Sequence, residues 1–283
     1  MATSKRERQK AARREKLEQM QRYDKRRKNI RRGIIAVVIA AVVFGTGALL
    51  FSGNSKPTAS TTTTTTGASA TTTTTVASAN DSALQSAANA KAVAAGCPTS
   101  TSARVNTMTW PKAPAMTIDK TKTYYANFTT TAGNFVVKLD PTTAPISTNN
   151  FVFLAEHKFY NCVIFQRVVP GFMIQGGDPT GTGAGGPGYT IADEYPNPGN
   201  PTYPLYSVAM ANTGQPHTGG SQFFIVTGSE ANSIGSSYSL FGQVISGINV
   251  VKTIQNEGNA NTNANGIPPA VTNRMLSVTI TEK

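Results

Sequence analysis

From residue 124 onward the chain never holds one pattern for long. Short runs rich in Val, Ile, Phe, Tyr and Thr are cut repeatedly by Gly, Pro and Asn. That punctuation argues against βαβ units, in which strands alternate with helices of about a dozen residues, and for an antiparallel architecture. Residues 124–130 and 134–139 flank Thr131-Ala132-Gly133 and read as a hairpin with a Gly-containing turn. Further strands are expected at 163–169, 172–176, 207–211, 222–227, 240–244 and 275–281. Only two stretches carry helical spacing. One, 147–157, opens on the cap-type Ser147 and repeats Phe151, Leu154 and Ala155; the other, 247–256, sets Val250, Val251 and Ile254 on one face. Many short strands and two helices predict a mainly β fold, a closed antiparallel barrel.

Most of the first third of the chain is not globular. Residues 1–32 hold 14 Lys and Arg against four acids, so ten of the chain's net +12 charges sit in this basic tail. Residues 34–51 then run 18 positions without a charge, rich in Ile, Val, Ala and Leu. At about 1.5 Å per residue they make roughly 27 Å of helix, close to the roughly 30 Å hydrocarbon thickness of a bilayer. A single transmembrane signal anchor over 33–51 is the reading. A cleaved signal peptide is the rival, disfavoured by so long a basic region and by the lack of a small-x-small cleavage site. The basic excess precedes the span and only Lys56 follows it closely, which places the N-terminus in the cytoplasm and residues beyond 52 outside. The tail opens with the capping-box pattern Ser4-Lys5-Arg6-Glu7 and suits a topology signal facing anionic headgroups. Tyr23 is its one aromatic, so nucleic-acid binding is not expected. Residues 52–96, with Thr runs at 61–66 and 71–75, bury too little apolar surface to offset their ordering entropy and are expected as a disordered linker. An extension, 97–123, separates that linker from the barrel domain at 124–283.

Cys97 and Cys162 lie 65 positions apart, which excludes a CxxC redox or zinc motif, while a location outside the membrane permits a disulfide between them. His157 and His217 are too few and too scattered for a metal cage, and no cofactor is implied. Gly181-Thr182-Gly183-Ala184-Gly185-Gly186 matches the dinucleotide fingerprint, but Pro187-Gly188 stands where its helix would have to begin.

A strand period of two sorts the remaining candidates. In Phe172-Met173-Ile174-Gln175 it puts Met173 and Gln175 on one face, and in Gln222-Phe223-Phe224-Ile225 it pairs Gln222 with Phe224. Ile174, Phe223 and Ile225 then point inward. A polar and an apolar side chain together on the outside of two strands suit a shallow site that grips an apolar ring. Single surface apolar residues are common and need no such explanation. These blocks stand in order with Asn150-Phe151, Gln175-Gly176-Gly177-Asp178, Gly185-Gly186-Pro187-Gly188-Tyr189, Asp193-Glu194 and Phe241-Gly242. Together they resemble the cyclophilins, in a membrane-anchored bacterial form of the actinobacterial kind. Over residues 124–283 the resemblance implies an eight-stranded antiparallel barrel capped by two helices, and peptidyl-prolyl cis-trans isomerase activity.

A lone Arg in a strand is usually solvated or ion-paired, but the resemblance makes Arg167 the catalytic residue. Amide resonance sets a rotation barrier of about 18–20 kcal/mol, and a hydrogen bond donated to the prolyl nitrogen favours the twisted state over the planar one. The resemblance further implies a proline pocket of Phe172, Met173 and Phe224, with Gln175 and Gln222 bonding the substrate backbone. Ala211 and Asn212 would hold the residue before the proline, and Gly181 would belong to the neighbouring loop. Two departures stand out: residues 229–237 lack the family's Trp, whose apolar place falls to Ile234, and Tyr238 replaces the site His. The implied partners are Xaa-Pro segments of unfolded or secreted proteins, met by a monomer. The alternative is a prolyl-peptide binding module or chaperone with little catalysis; a degenerate binder would be free to lose Arg167, and this chain keeps it.

Overall fold

This computed structural model describes residues 72–196, 203–261 and 264–283. The basic tail, the expected span over 33–51 and the linker as far as residue 71 lie outside them. Among the described residues no helix is long and apolar enough to cross a membrane.

Eight strands make one antiparallel sheet: β1 (Tyr124–Thr130), β2 (Gly133–Leu139), β3 (Arg167–Val169), β4 (Met173–Gly176), β5 (Ser207–Met210), β6 (Phe223–Val226), β7 (Leu240–Ser246) and β8 (Met275–Glu282). Their spatial order is β3-β4-β6-β5-β7-β2-β1-β8. The β1–β2 hairpin closes with Thr130 opposite Gly133, whose φ of +134° and 2.8 Å approach to Val250 Cγ2 from an added Cβ leave room for glycine alone.

The expected closed barrel is corrected to a curled sheet. Its outermost strands, β3 and β8, share no ladder, and the gap between them is stitched by the isolated bridge Ile164–Arg274 and the bonds Phe165 N to Asn273 O (2.9 Å) and Met275 N to Val163 O (2.8 Å). Cys162, at φ +66°, turns the chain out of strand geometry just before this seam. Residues 163–166, read from sequence as strand, therefore precede β3 as an irregular segment. The buried Arg274 guanidinium at the seam donates to the carbonyls of Pro98 and Thr99 and fastens the extension there.

Inside the curl Phe128 stacks on Phe135 at 4.4 Å, and Phe151, Tyr160, Phe223 and Phe241 close round them. Each fully buried ring contributes roughly 1.5–3 kcal/mol. Two helices cover the sheet's openings. The one carrying Phe151, Pro145–Glu156, is not capped by Ser147, which lies buried in its first turn. Instead Glu194 reaches back from 48 residues downstream, its carboxylate accepting Ile146 N (2.7 Å) and Ser147 N (2.8 Å). The other, Ile248–Asn256, buries Val251 and Ile254.

A third helix corrects the expectation of disorder over residues 72–94. In chain order the helices are thus α1 (Thr72–Ala94), α2 (Pro145–Glu156) and α3 (Ile248–Asn256). Ala88 and Ala92 of α1 are buried at helical spacing, Gln85 exchanges hydrogen bonds with the Thr272 backbone (2.6 and 3.4 Å), and Lys91 donates to Thr131 O (3.0 Å). Just past its end Cys97 is disulfide-bonded to Cys162. Composition predicts disorder because alanine buries little; polar docking and a covalent tie supply what composition does not count.

Candidate active site

β3, β4, β6 and β5 lie side by side, and alternate residues of each face outward. Across the ladders Arg167 stands opposite Gln175, Gln175 opposite Phe224, and Phe224 opposite Ala209. Val168, Ile174, Phe223 and Ile225 belong to the interior core. Met173, Ala209, Phe224 and Val226 form a second, separate apolar cluster with the buried Tyr203, and Phe172, Ala211, Ile234 and Tyr238 pack onto it half-buried.

The cluster is a covered floor rather than an open surface: Met173 is 2 % and Phe224 5 % exposed. Tyr238 meets the Phe224 ring edge-on at 5.2 Å, and Tyr203 lies 6.4 Å from it. The Tyr203 hydroxyl accepts from Tyr238 N and donates to Tyr238 O, both at 2.9 Å, which fixes the aromatic wall over Phe224. Burial pushes the Tyr203 phenol up to about 12, and it raises Tyr238 as well, against the pull of the nearby Arg167 charge.

Arg167 is held from two sides. Its Nε donates to Asn265 O (3.0 Å), Nη2 to Asn265 Oδ1 (2.6 Å) and Nη1 to Gln175 Oε1 at the longer distance of 3.4 Å. Its guanidinium carbon lies 5.8 Å from the centre of the Phe172 ring. Burial lowers its pKa from the ordinary value, yet a guanidinium stays charged at any physiological pH. Three of its five N–H donors are engaged, leaving one on each terminal nitrogen for a ligand.

Gln222 has less to spare than the sequence suggested. Its Oε1 accepts from Gln175 (2.9 Å) and Gln166 (3.0 Å), and its Nε2 donates to the carbonyls of Gly183 (2.9 Å) and Gly185 (3.0 Å). Both lone pairs and both hydrogens are engaged here, whereas Gln175 keeps one donor and one lone pair for a ligand. The Asn212 side chain is also engaged, donating to Ser237 O (2.8 Å) and accepting from Gly214 N (2.9 Å). Gly181 sits in the expected loop, but an added Cβ would meet Ile164 Cδ1 at 2.9 Å, a contact with the seam and not with the pocket. Ile234 ends the short 3₁₀ turn Ser229–Ser233 against the apolar cluster.

The loop after β4 is tied to Asp178. Its buried carboxylate accepts from Thr180 N (2.7 Å), Thr180 Oγ1 (2.7 Å), Gly183 N (2.6 Å) and Gly185 N (3.1 Å). Burial alone would raise this carboxyl; the hydrogen bonds from Thr180, Gly185 and Gly183 hold it below the usual range. Between this loop and Gln175, Ala211, Asn212 and Gln222 runs a groove of about 520 Å³. Among the described residues no group of three His, Cys, Asp or Glu gathers to hold a metal ion.

Residues 125–280 match the family described as cyclophilin type peptidyl-prolyl cis-trans isomerase/CLD. The chain belongs to the cyclophilins. Its relatives include peptidyl-prolyl cis-trans isomerase B of Bacillus subtilis, 45% identical over 120 residues that make up 42% of this chain and 81% of that protein. Peptidyl-prolyl cis-trans isomerase A of Mycobacterium tuberculosis is 42% identical over 135 residues, 42% of this chain and 72% of that one. A solved cyclophilin-type isomerase of Cryptosporidium parvum superposes with a TM-score of 0.51 at 30% identity, covering 56% of this chain and 98% of the other. The same parasite protein has also been solved in the presence of the dipeptide Ala-Pro, with a TM-score of 0.50.

In this cyclophilin three site residues escaped the sequence reading. Asn265, at φ +50°, begins an Asn-Gly turn, a visible signal for a turn but not for its partner 98 residues earlier. Tyr203 lies in no strand, so no periodicity marks it. Gln166 sits beside Arg167 yet points to Gln222.

Proposed function

We propose that this peptidyl-prolyl cis-trans isomerase acts on Xaa-Pro segments of proteins folding outside the cytoplasmic membrane, with Arg167 as its catalytic residue. The observation that carries the reading is a guanidinium held by Asn265 and Gln175 at the edge of an apolar floor, with two donors free. A proline ring seated on Phe172, Met173 and Phe224 brings its nitrogen within reach of those donors. As the amide twists, the nitrogen pyramidalises and becomes a hydrogen-bond acceptor, so a donor fixed in advance favours the transition state over either planar isomer. No proton changes hands. The Cryptosporidium protein solved with Ala-Pro supports the same ligand class here.

The location rests on different observations. A basic tail followed by 18 uncharged residues supports a single-pass anchor with its N-terminus in the cytoplasm, and the Cys97–Cys162 disulfide suits an oxidising compartment. The anchored chain is taken as a monomer and as the actinobacterial-like form of the family. Protease added outside intact spheroplasts is expected to release the isomerase domain; a protected domain would reverse the topology.

Catalysis is tested by isomerisation of a proline tetrapeptide. Arg167→Ala is expected to lower catalytic efficiency at least ten-fold, about 1.4 kcal/mol, in a protein with an unchanged circular dichroism spectrum. Full activity in that folded variant would overturn the Arg167 mechanism.

A further inference from the structure

The segment that the family match leaves out reaches the site. Residues 97–123 precede the matched 125–280, yet they run along the domain at fixed points. The first is the disulfide Cys97–Cys162. Next, Val105 N bonds Pro179 O (2.9 Å), Asn106 Nδ2 bonds Phe159 O (2.8 Å), and Asn106 Oδ1 accepts Met108 N (3.1 Å). Trp110 is the main anchor. Its ring packs against Phe153, His157 and Phe159 at centroid distances of 5.1 to 6.0 Å, and its backbone N–H donates to Pro187 O (2.9 Å).

That last bond ties the extension to the loop bounding the groove. Gly188, at φ +88°, is pressed so closely that an added Cβ would stand 3.1 Å from both Thr109 Cβ and Trp110 O. With Trp110 fixed behind it, Thr109 is exposed and lines the groove opposite Gln175, Ala211 and Asn212. Every residue lining the groove is uncharged, so a charge at Thr109 would meet no neighbour of its own there.

We infer that Thr109, positioned by Trp110, is a specificity-determining residue of this enzyme, the extension's own wall against the peptide residues that precede the proline. The inference rests on the proposed isomerase reading and goes beyond it, since it gives substrate selection to a segment outside the family's matched region. The wall selects by size and charge: an uncharged side chain upstream of the proline fits, and a charged one enters without a partner.

The test uses the full chain and proline tetrapeptides carrying Lys, Glu or Gly at the first or second position before the proline. Thr109→Glu is expected to raise the ratio of catalytic efficiencies for Lys over Glu peptides about three-fold or more at low ionic strength, and Thr109→Lys to lower it as much, the scale of an exposed ion pair. The shift should lie in KM rather than kcat and should fade in high salt. A merely structural role moves all peptides together. Equal Lys-to-Glu ratios in the wild type and both folded variants would overturn the inference. A wild-type protein that isomerises none of the peptides would instead overturn the functional reading. In that case peptide affinities from NMR titration supply the same ratios and decide the inference on Thr109 separately.

Discussion

Phe223 and Phe224 are consecutive, chemically identical and nearly equally buried, yet they belong to different parts of the molecule. Phe223 meets Phe128, Phe151 and Tyr160 inside the curled sheet, where the nearest neighbours are other rings. Phe224 meets Tyr203 and Tyr238 on the outer face, opposite Gln175 and in a site that holds Arg167. Burial does not separate core from site here. What separates them is the company each ring keeps: a ring among rings serves stability, whereas a ring among unspent hydrogen-bond donors can seat a ligand.

The comparison is sharpest when each ring is removed in turn. Phe223→Ala is expected to destabilise the protein by about 4 kcal/mol in urea unfolding, because a rigid interior collapses little round a cavity. Phe224→Ala should cost roughly 3 kcal/mol, since the half-buried side chains over it can settle and water can enter, while isomerisation falls at least ten-fold. Equal losses of stability, with activity kept in the Phe224 variant, would break the distinction between the two faces.

The smallest expected effect concerns the wall over Phe224. Tyr203→Phe leaves Tyr238 N without its partner and should cost about 1 kcal/mol. Its phenol sits at about 12 when folded against about 10 when unfolded. The folded state therefore holds this proton more tightly, so the stabilisation is complete below pH 10 and is lost as pH rises through 12. Thermal melts from pH 8 upward should show that alkaline loss in the wild type and a shallower one in Tyr203→Phe. Identical slopes would mean the wall is not coupled to Tyr203.

Much of the fold was legible because hydrophobic period is local. The hairpin at β1–β2, both sheet-covering helices and the split of Ile174, Phe223 and Ile225 from Met173 and Phe224 all follow from spacing within a few residues. The misses share a cause. Glu194 at the start of α2, Asn265 on Arg167 and Gln85 on Thr272 are hydrogen bonds across 47 to 187 positions, and no local pattern records them. Gln222 lies on the outer face as its strand period indicates, but periodicity does not record its bonds to Gln166, Gln175, Gly183 and Gly185.

The sequence by itself determined the strand-rich domain, its membership of the cyclophilins, and the residue types on each face, since alternation and motif order need only the chain. Tertiary structure alone decided that the sheet is joined at Ile164 and Arg274 without a ladder there, that 72–94 is helical, and that Thr109 reaches the groove. The physical reason is that a side chain's partners are set by closure in space. The free energy of a long-range contact depends on everything that brings its two ends together, and that is not written in either end.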